Sequence, residues 1–329
     1  MKRAMIPSEI SYRRTVSAIG GALLSFSVLM ALSSLLIFWF GELLVLLETP
    51  DPQRSLLFYF FYLCFYLVSF LVPLIFFKPA MRKTGSAYRP VRVGVRPSWL
   101  ILPTLFGGVA LIWAQSHINA MAVGVFPYAS TGAKMSGYAI VLELLVTALL
   151  PAFCEELLFR GVVMENLLPY GRQNAILISS LLFAVAHQNV AQMLYAFAAG
   201  ILLGLLYERT GSIWNCVLLH LVNNFASVII LVLSAQFGQN RPIGYLLVEC
   251  SFYLLGLISL VLLVLLLFGK RPELSGGVFG RSVDAWDGYA ECRLPKEGRI
   301  KAFLRPSIFI FLLLCVSETI IRIVQNLVL

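Results

Sequence analysis

The sequence predicts an all-α, polytopic membrane bundle of about eight to nine transmembrane or membrane-embedded helices. Three observations carry that expectation. Hydrophobic residues make up 60% of the chain and charged residues 12%, with a mean hydropathy of +0.88; a soluble domain carries about twice that share of charge. The apolar residues come in long blocks, each near the ~20 residues a helix needs to cross a hydrocarbon core of about 30 Å. The basic residues gather in alternate connections between those blocks, as the positive-inside rule requires of a multi-pass protein.

The blocks predict helices in this order. The basic start MKRAMIPSEISYRR leads into an apolar run read as a helix over 16–46. That run is too long for the apolar region of a signal peptide and no small-residue cleavage site follows it, so it is a retained first span. A second helix, 55–77, ends in KPAMRKTGSAYRPVRVGVRP, which holds Lys78, Arg82, Lys83, Arg89, Arg92 and Arg96 and no acid. A third, 98–116, stops just before His117, read as an interfacial residue. The fourth covers 137–159. The next two, 175–187 and 190–207, are separated only by Gln188-Asn189. At ~1.5 Å per residue the first of them spans about 20 Å, so the pair reads as a hairpin whose tip stops inside the membrane. Irregular backbone at that depth is tolerated only where protein or a water-filled cavity surrounds it. Helices over 212–236, 244–268 and 303–328 complete the set, with a polar, Lys/Arg-rich loop at 269–302.

The chain thus divides into N-terminal helices at 1–136, a polar-bearing core at 137–236 and C-terminal helices at 237–329. The connections ETPDPQR, 117–136 and QFGQNRPIG have one basic residue each. The N-terminus is therefore expected in the cytoplasm, and nine spans put the C-terminus outside. The net charge of +9 sits beside the spans rather than on a polar domain, which points to membrane lipid and excludes nucleic acid as the partner. The six cysteines (Cys64, Cys154, Cys216, Cys250, Cys292 and Cys315) have no metal-ligand spacing and read as free thiols.

Ionisable groups inside a bilayer are costly and mark function by default. Two of the three histidines, His187 in FAVAHQN and His220 in WNCVLLHLVNN, lie in apolar helices, and PAFCEELLFRG carries Glu155 and Glu156. Adjacent helical residues point about 100° apart, so these carboxylates have different roles. Glu156 and Arg160 are four apart and form an intrahelical ion pair. Glu155 has no local basic partner and is the candidate general base. His220 and Asn224 share a face and make a side-chain oxyanion hole, with Asn223 a weaker candidate. Phe183 shares a face with His187 and walls the site. Glu42, Glu143, Glu249 and Glu318 lack such company and read as interfacial or packing residues. Other protease designs are missing: there is no HExxH, no GxGD and no GxSxG elbow around Ser212.

EELLFR, then FAVAH, then HLVNN resemble the three motifs EExxxR, FxxxH and HxxxN of the CAAX-protease and bacteriocin-processing family, over roughly 140–230. The resemblance implies an intramembrane endopeptidase with a cavity open to the cytoplasmic side. In it, Glu155 and His187 activate water while His220 and Asn224 hold the oxyanion, with Glu156, Arg160 and Phe183 supporting. Members are commonly called metalloproteases, and zinc on Glu155, His187 and His220 is the alternative chemistry. That would use up the base and the oxyanion donor together, so a metal-free mechanism is favoured and no cofactor is expected. The substrate is a polypeptide, either prenylated at a CaaX end or a peptide precursor such as a bacteriocin leader, with a bacterial setting favoured. The rival class is a non-enzymatic membrane peptide-binding or bacteriocin-immunity protein. A proton-coupled transporter is disfavoured by the lack of inverted repeats.

Overall fold

A computed structural model of the chain describes residues 9–47, 56–94, 97–125, 137–237, 243–268, 303 and 305–328. Among these residues nine helices follow in order: α1 Glu9–Leu46, α2 Leu56–Lys83, α3 Pro97–Val125, α4 Gly137–Tyr170, α5 Arg172–Ala186, α6 Val190–Thr210, α7 Ile213–Phe237, α8 Ile243–Phe268 and α9 Pro306–Val328. The described residues contain no strand beyond the isolated bridge between Val93 and Ser212. The 269–302 loop lies outside the described residues. The chain is an all-helical membrane bundle, and α1, α2 and α4 are each long and apolar enough to cross a bilayer.

Several helices outrun their apolar blocks. α1 begins at Glu9, whose carboxylate pairs with Arg13 one turn on at 2.6 Å. α2 continues through Pro73 and Pro79 to Lys83. Hydropathy marks only the stretch in hydrocarbon; a helix continues past it wherever its polar side chains reach water or partners. Proline is tolerated inside such helices because neighbours satisfy the freed carbonyls.

The larger departure is α4, expected over 137–159 and observed to Tyr170. Two π-helical segments, Leu144–Leu149 and Leu157–Met164, bracket the α-helical turns Leu150–Glu156 that carry the two glutamates. Leu150 N–H donates to the Leu145 carbonyl and Glu165 N–H to that of Arg160, five residues back in each case. Pro151 has no N–H and crowds the preceding turn; the wider turn ahead of it makes room.

α4 is the axis of the bundle. Every residue from Leu158 to Leu168 is buried. α1 packs on α2 and α9, α3 packs on α6, α7 and α8, and α7 lies against the first π segment of α4. The expected hairpin is present as α5 and α6. Gly200 and Gly204 let the two helices close, since a Cβ at Gly200 would come within 2.9 Å of the Ser180 Cα. α5 has 15 residues, about 22 Å of helix, and the chain reverses at Gln188, whose φ is 52°.

At the opposite end of that hairpin the basic connection 84–94 is tied down. Glu165 is 2% exposed and accepts from Arg92 Nε (2.9 Å) and Tyr207 Oη (2.9 Å), with Arg89 Nε at 3.4 Å. Arg89 N–H donates to Asn166 Oδ1, Arg92 N–H to Tyr207 Oη, and Ile213 N–H to the Arg92 carbonyl. The start of α1 joins the same end, where Ser11 and Thr15 bond the Tyr170 hydroxyl.

Candidate active site

Three helices and the hairpin tip supply the residues expected from the sequence. Glu155 and Glu156 sit on α4 between its two π segments, His220, Asn223 and Asn224 on α7, and Phe183 on α5. His187 is the C-cap of α5, at the hairpin tip rather than within the helix. The closest grouping is around His220. Its Nδ1 lies 2.9 Å from Glu156 Oε1 and its Nε2 lies 3.9 Å from Glu155 Oε2. The imidazole therefore stands between the two adjacent carboxylates, one on each nitrogen. The roughly 100° between neighbouring helical residues makes this possible.

Glu156 is the anchor. Its Oε1 also accepts from Arg160 NH1 at 3.0 Å, and neither side chain has any exposed surface. Arg160 in turn donates from NH2 to the Gly200 carbonyl at 3.1 Å, and its guanidinium lies 4.8 Å from the Phe183 ring centroid. The close approach of α5 and α6 at Gly200 is what brings that carbonyl within reach. Arg160 and His220 thus meet on one oxygen of Glu156. With Glu156 as acceptor, Nδ1 of His220 carries the hydrogen and Nε2 faces Glu155.

Glu155 is held differently. Tyr66 of α2 donates its hydroxyl to Oε1 at 3.3 Å, while Oε2 is buried without a hydrogen-bond partner. The side chain keeps 17% exposure, the one carboxylate here with surface to offer.

His187 joins the group through Phe183. Its Nδ1 pairs with the Phe183 carbonyl at 2.7 Å, which leaves Nε2 for another partner. The Phe183 ring meets both imidazoles edge-on, with centroids 4.7 Å from His187 and 5.8 Å from His220. On α7, Asn223 proves more than an off-face neighbour: Tyr195 of α6 donates to its Oδ1, and its Nδ2 donates to Asn224 Oδ1 at 3.1 Å. That chain gives the oxygen of the half-buried Asn224 a donor.

Sequence reasoning missed Tyr66, Tyr195 and Gly200. The two tyrosines did leave a signal, being hydroxyl-bearing aromatics inside apolar helices. His117, expected at an interface, is exposed and packs on Trp113. Glu143 is half-buried and accepts from Tyr59 at 2.9 Å.

A catalytic metal would need these donors to converge on one point. Both imidazoles have Nδ1 engaged, which is how ligating histidines are oriented. Yet no three His, Cys, Asp or Glu side chains among the described residues come together closely enough to hold an ion. As placed, Glu155, His187 and His220 do not fit a catalytic zinc.

Residues 137–226 match the family model described as type II CAAX prenyl endopeptidase, Rce1-like. The resemblance seen in the three motifs is therefore shown for this segment. A curated relative, the protein named "Putative membrane peptidase YdiL" of Bacillus subtilis (strain 168), is 33% identical over 94 residues. The match covers 28% of this chain and 38% of that protein, so the chain spans about two fifths of its relative's length. No solved structure matches. All the chemistry-bearing side chains just described on α4 to α7 lie within the CAAX-protease-like segment; Tyr66 lies outside it.

Proposed function

We propose that the chain is an intramembrane endopeptidase in which Glu155 activates water and His220 and Asn224 hold the oxyanion. The observation that carries the reading is His220 set between two carboxylates, one locked by Arg160 and the other partly exposed with a bare oxygen. A purely structural ion pair needs Glu156 and Arg160; it does not need Glu155 or a second histidine.

The steps follow from those positions. The Glu155 carboxylate takes a proton from water, and the hydroxide attacks the scissile carbonyl carbon. The carbonyl oxygen becomes an oxyanion, stabilised by N–H from His220 Nε2 in its doubly protonated form and from Asn224 Nδ2. Glu156 Oε1, 2.9 Å from Nδ1, holds the ring in place. His187 Nε2 is the group that orients the water. Collapse breaks the C–N bond, and the proton on Glu155 passes to the leaving amine, restoring the carboxylate. General-base catalysis contributes roughly 10²–10⁴-fold and loss of one oxyanion donor costs roughly 10²–10³-fold.

The substrate class is a membrane-associated or extended polypeptide segment. The test is cleavage of a panel of membrane peptides, prenylated CaaX peptides and leader peptides among them, by the purified chain with and without chelator. The expected result is cleavage of at least one peptide, unchanged by chelator. Cleavage abolished by chelator and restored by zinc would overturn the metal-free mechanism. Tight binding without any cleavage would make the chain a peptide-binding or immunity protein.

A further inference from the structure

Glu155 and His220 face each other across a gap. Oε2 of Glu155 lies 3.9 Å from Nε2 of His220, beyond hydrogen-bond distance, and has no hydrogen-bond partner among the described residues. A charged imidazole N–H and a carboxylate oxygen close to about 2.8 Å when nothing holds them apart. Closed, they would satisfy each other, and the base and the oxyanion donor of the proposed reaction would both be spent. His220 is fixed from its far side by Glu156 Oε1, 2.9 Å from Nδ1. Glu155 needs a tether of its own.

Among the described residues the Glu155 carboxylate receives one hydrogen bond, from the Tyr66 hydroxyl of α2 to Oε1 at 3.3 Å. The ring behind that hydroxyl is firmly packed. Its centroid lies 4.8 Å from that of Phe70 one turn on, and Phe70 lies 4.7 Å from Phe26 of α1; all three are buried. A buried phenol needs an acceptor, so the plainer reading is that Glu155 serves only to satisfy Tyr66. The neighbours argue against it. Phe70 fills the next place on the same face with no hydroxyl, and Ser33 and Ser69 satisfy theirs on the Phe65 carbonyl within α1 and α2. Tyr66 instead sends its hydroxyl across to α4, onto the carboxylate that faces His220.

We infer that Tyr66 is a positioning residue: by holding Oε1 of Glu155 it keeps Oε2 off His220, so that neither group is spent on the other. Tyr66 belongs to α2, outside residues 137–226, so the first two helices complete a site whose motifs lie on α4 to α7. The effect on turnover rests on the endopeptidase reading; the placement of Glu155 does not.

The test uses the full chain, carrying isotope-labelled histidine, in lipid nanodiscs. The chain has three histidines, and His117→Gln and His187→Gln identify the signals of His220 by elimination. Tyr66→Phe is expected to move the Nε2 signal of His220 and to leave that of His117 in place. In a Glu155→Gln background the same substitution should move nothing. Tyr59→Phe, which removes a hydroxyl from Glu143 on the same pair of helices, should leave His220 unmoved. A still His220 signal in folded Tyr66→Phe, or an equal movement without the Glu155 carboxylate, overturns the inference. If Tyr66→Phe does not fold, Tyr66→Met is read by the same rule. On a cleaved peptide, Tyr66→Phe should lower kcat roughly ten-fold or more at unchanged KM, the scale of one hydrogen bond to a charged group. Wild-type kcat with a lower melting temperature would reduce Tyr66 to a packing residue and overturn the inference. A wild type that cleaves nothing overturns the endopeptidase reading, and the histidine signals then decide the placement of Glu155 alone.

Discussion

At the residue scale the account turns on neighbouring glutamates with unlike surroundings. Glu156 has no exposure and shares one oxygen between Arg160 and His220. Removing one member of such a buried, hydrogen-bonded pair leaves the other charge unpaired, at a cost of roughly 3–5 kcal/mol. Glu156→Gln is therefore expected to lower folded yield and melting temperature in detergent, measured by thermal unfolding of the purified chain. Normal yield with lost turnover would exchange the roles of the two glutamates. The Tyr195–Asn223–Asn224 chain makes a different forecast. Tyr195→Phe leaves the buried Asn223 oxygen unsatisfied, costing about 1–3 kcal/mol, and frees Asn224 to turn. Turnover should fall while KM holds, a split that a merely loosened fold would not produce. The EExxxR, FxxxH and HxxxN residues were legible in sequence because helical spacing alone decides which of them share a face. Tyr66 and Tyr195 were not, because each reaches its partner across two helices and no local spacing records that contact.

At the element scale, α4 and the α5–α6 hairpin set the site. The hairpin was readable from a short apolar run ending in Gln188-Asn189. The π segments were not: they are a change of hydrogen-bond register, which residue types mark only weakly through Pro151. Their consequence is local, since the widened turns on either side reset which way Glu155 and Glu156 point relative to the rest of α4. The hairpin has its own control point. Gly200 faces the Ser180 backbone and offers its carbonyl to Arg160. Gly200→Val should force α5 and α6 apart and destabilise by roughly 1–3 kcal/mol, the usual cost of overpacking. Gly21, around which a Cβ meets nothing within 4 Å, should accept the same substitution with little change in melting temperature.

At the scale of the whole molecule, the bundle is asymmetric from end to end. At the basic end the 84–94 connection is sealed onto the buried Glu165 by the half-buried Arg89 and Arg92. The alternation of basic connections was legible from composition, and so was the number of helices. The sealing was not, because Arg89 and Arg92 read as loop charges until Glu165 is seen to hold both. Glu165→Gln should loosen the 84–94 connection, and tryptic cutting within it should speed up roughly ten-fold, the equivalent of about 1.4 kcal/mol. An unchanged cutting rate would mean that the backbone bonds to Asn166, Tyr207 and Ile213 hold it unaided. The central claim, a glutamate base facing a histidine that a second glutamate holds in place, is tested most directly by comparing Glu155→Gln with the wild type on a cleaved peptide. The account predicts normal folded yield with turnover reduced at least ~10²-fold; wild-type turnover from Glu155→Gln would contradict it.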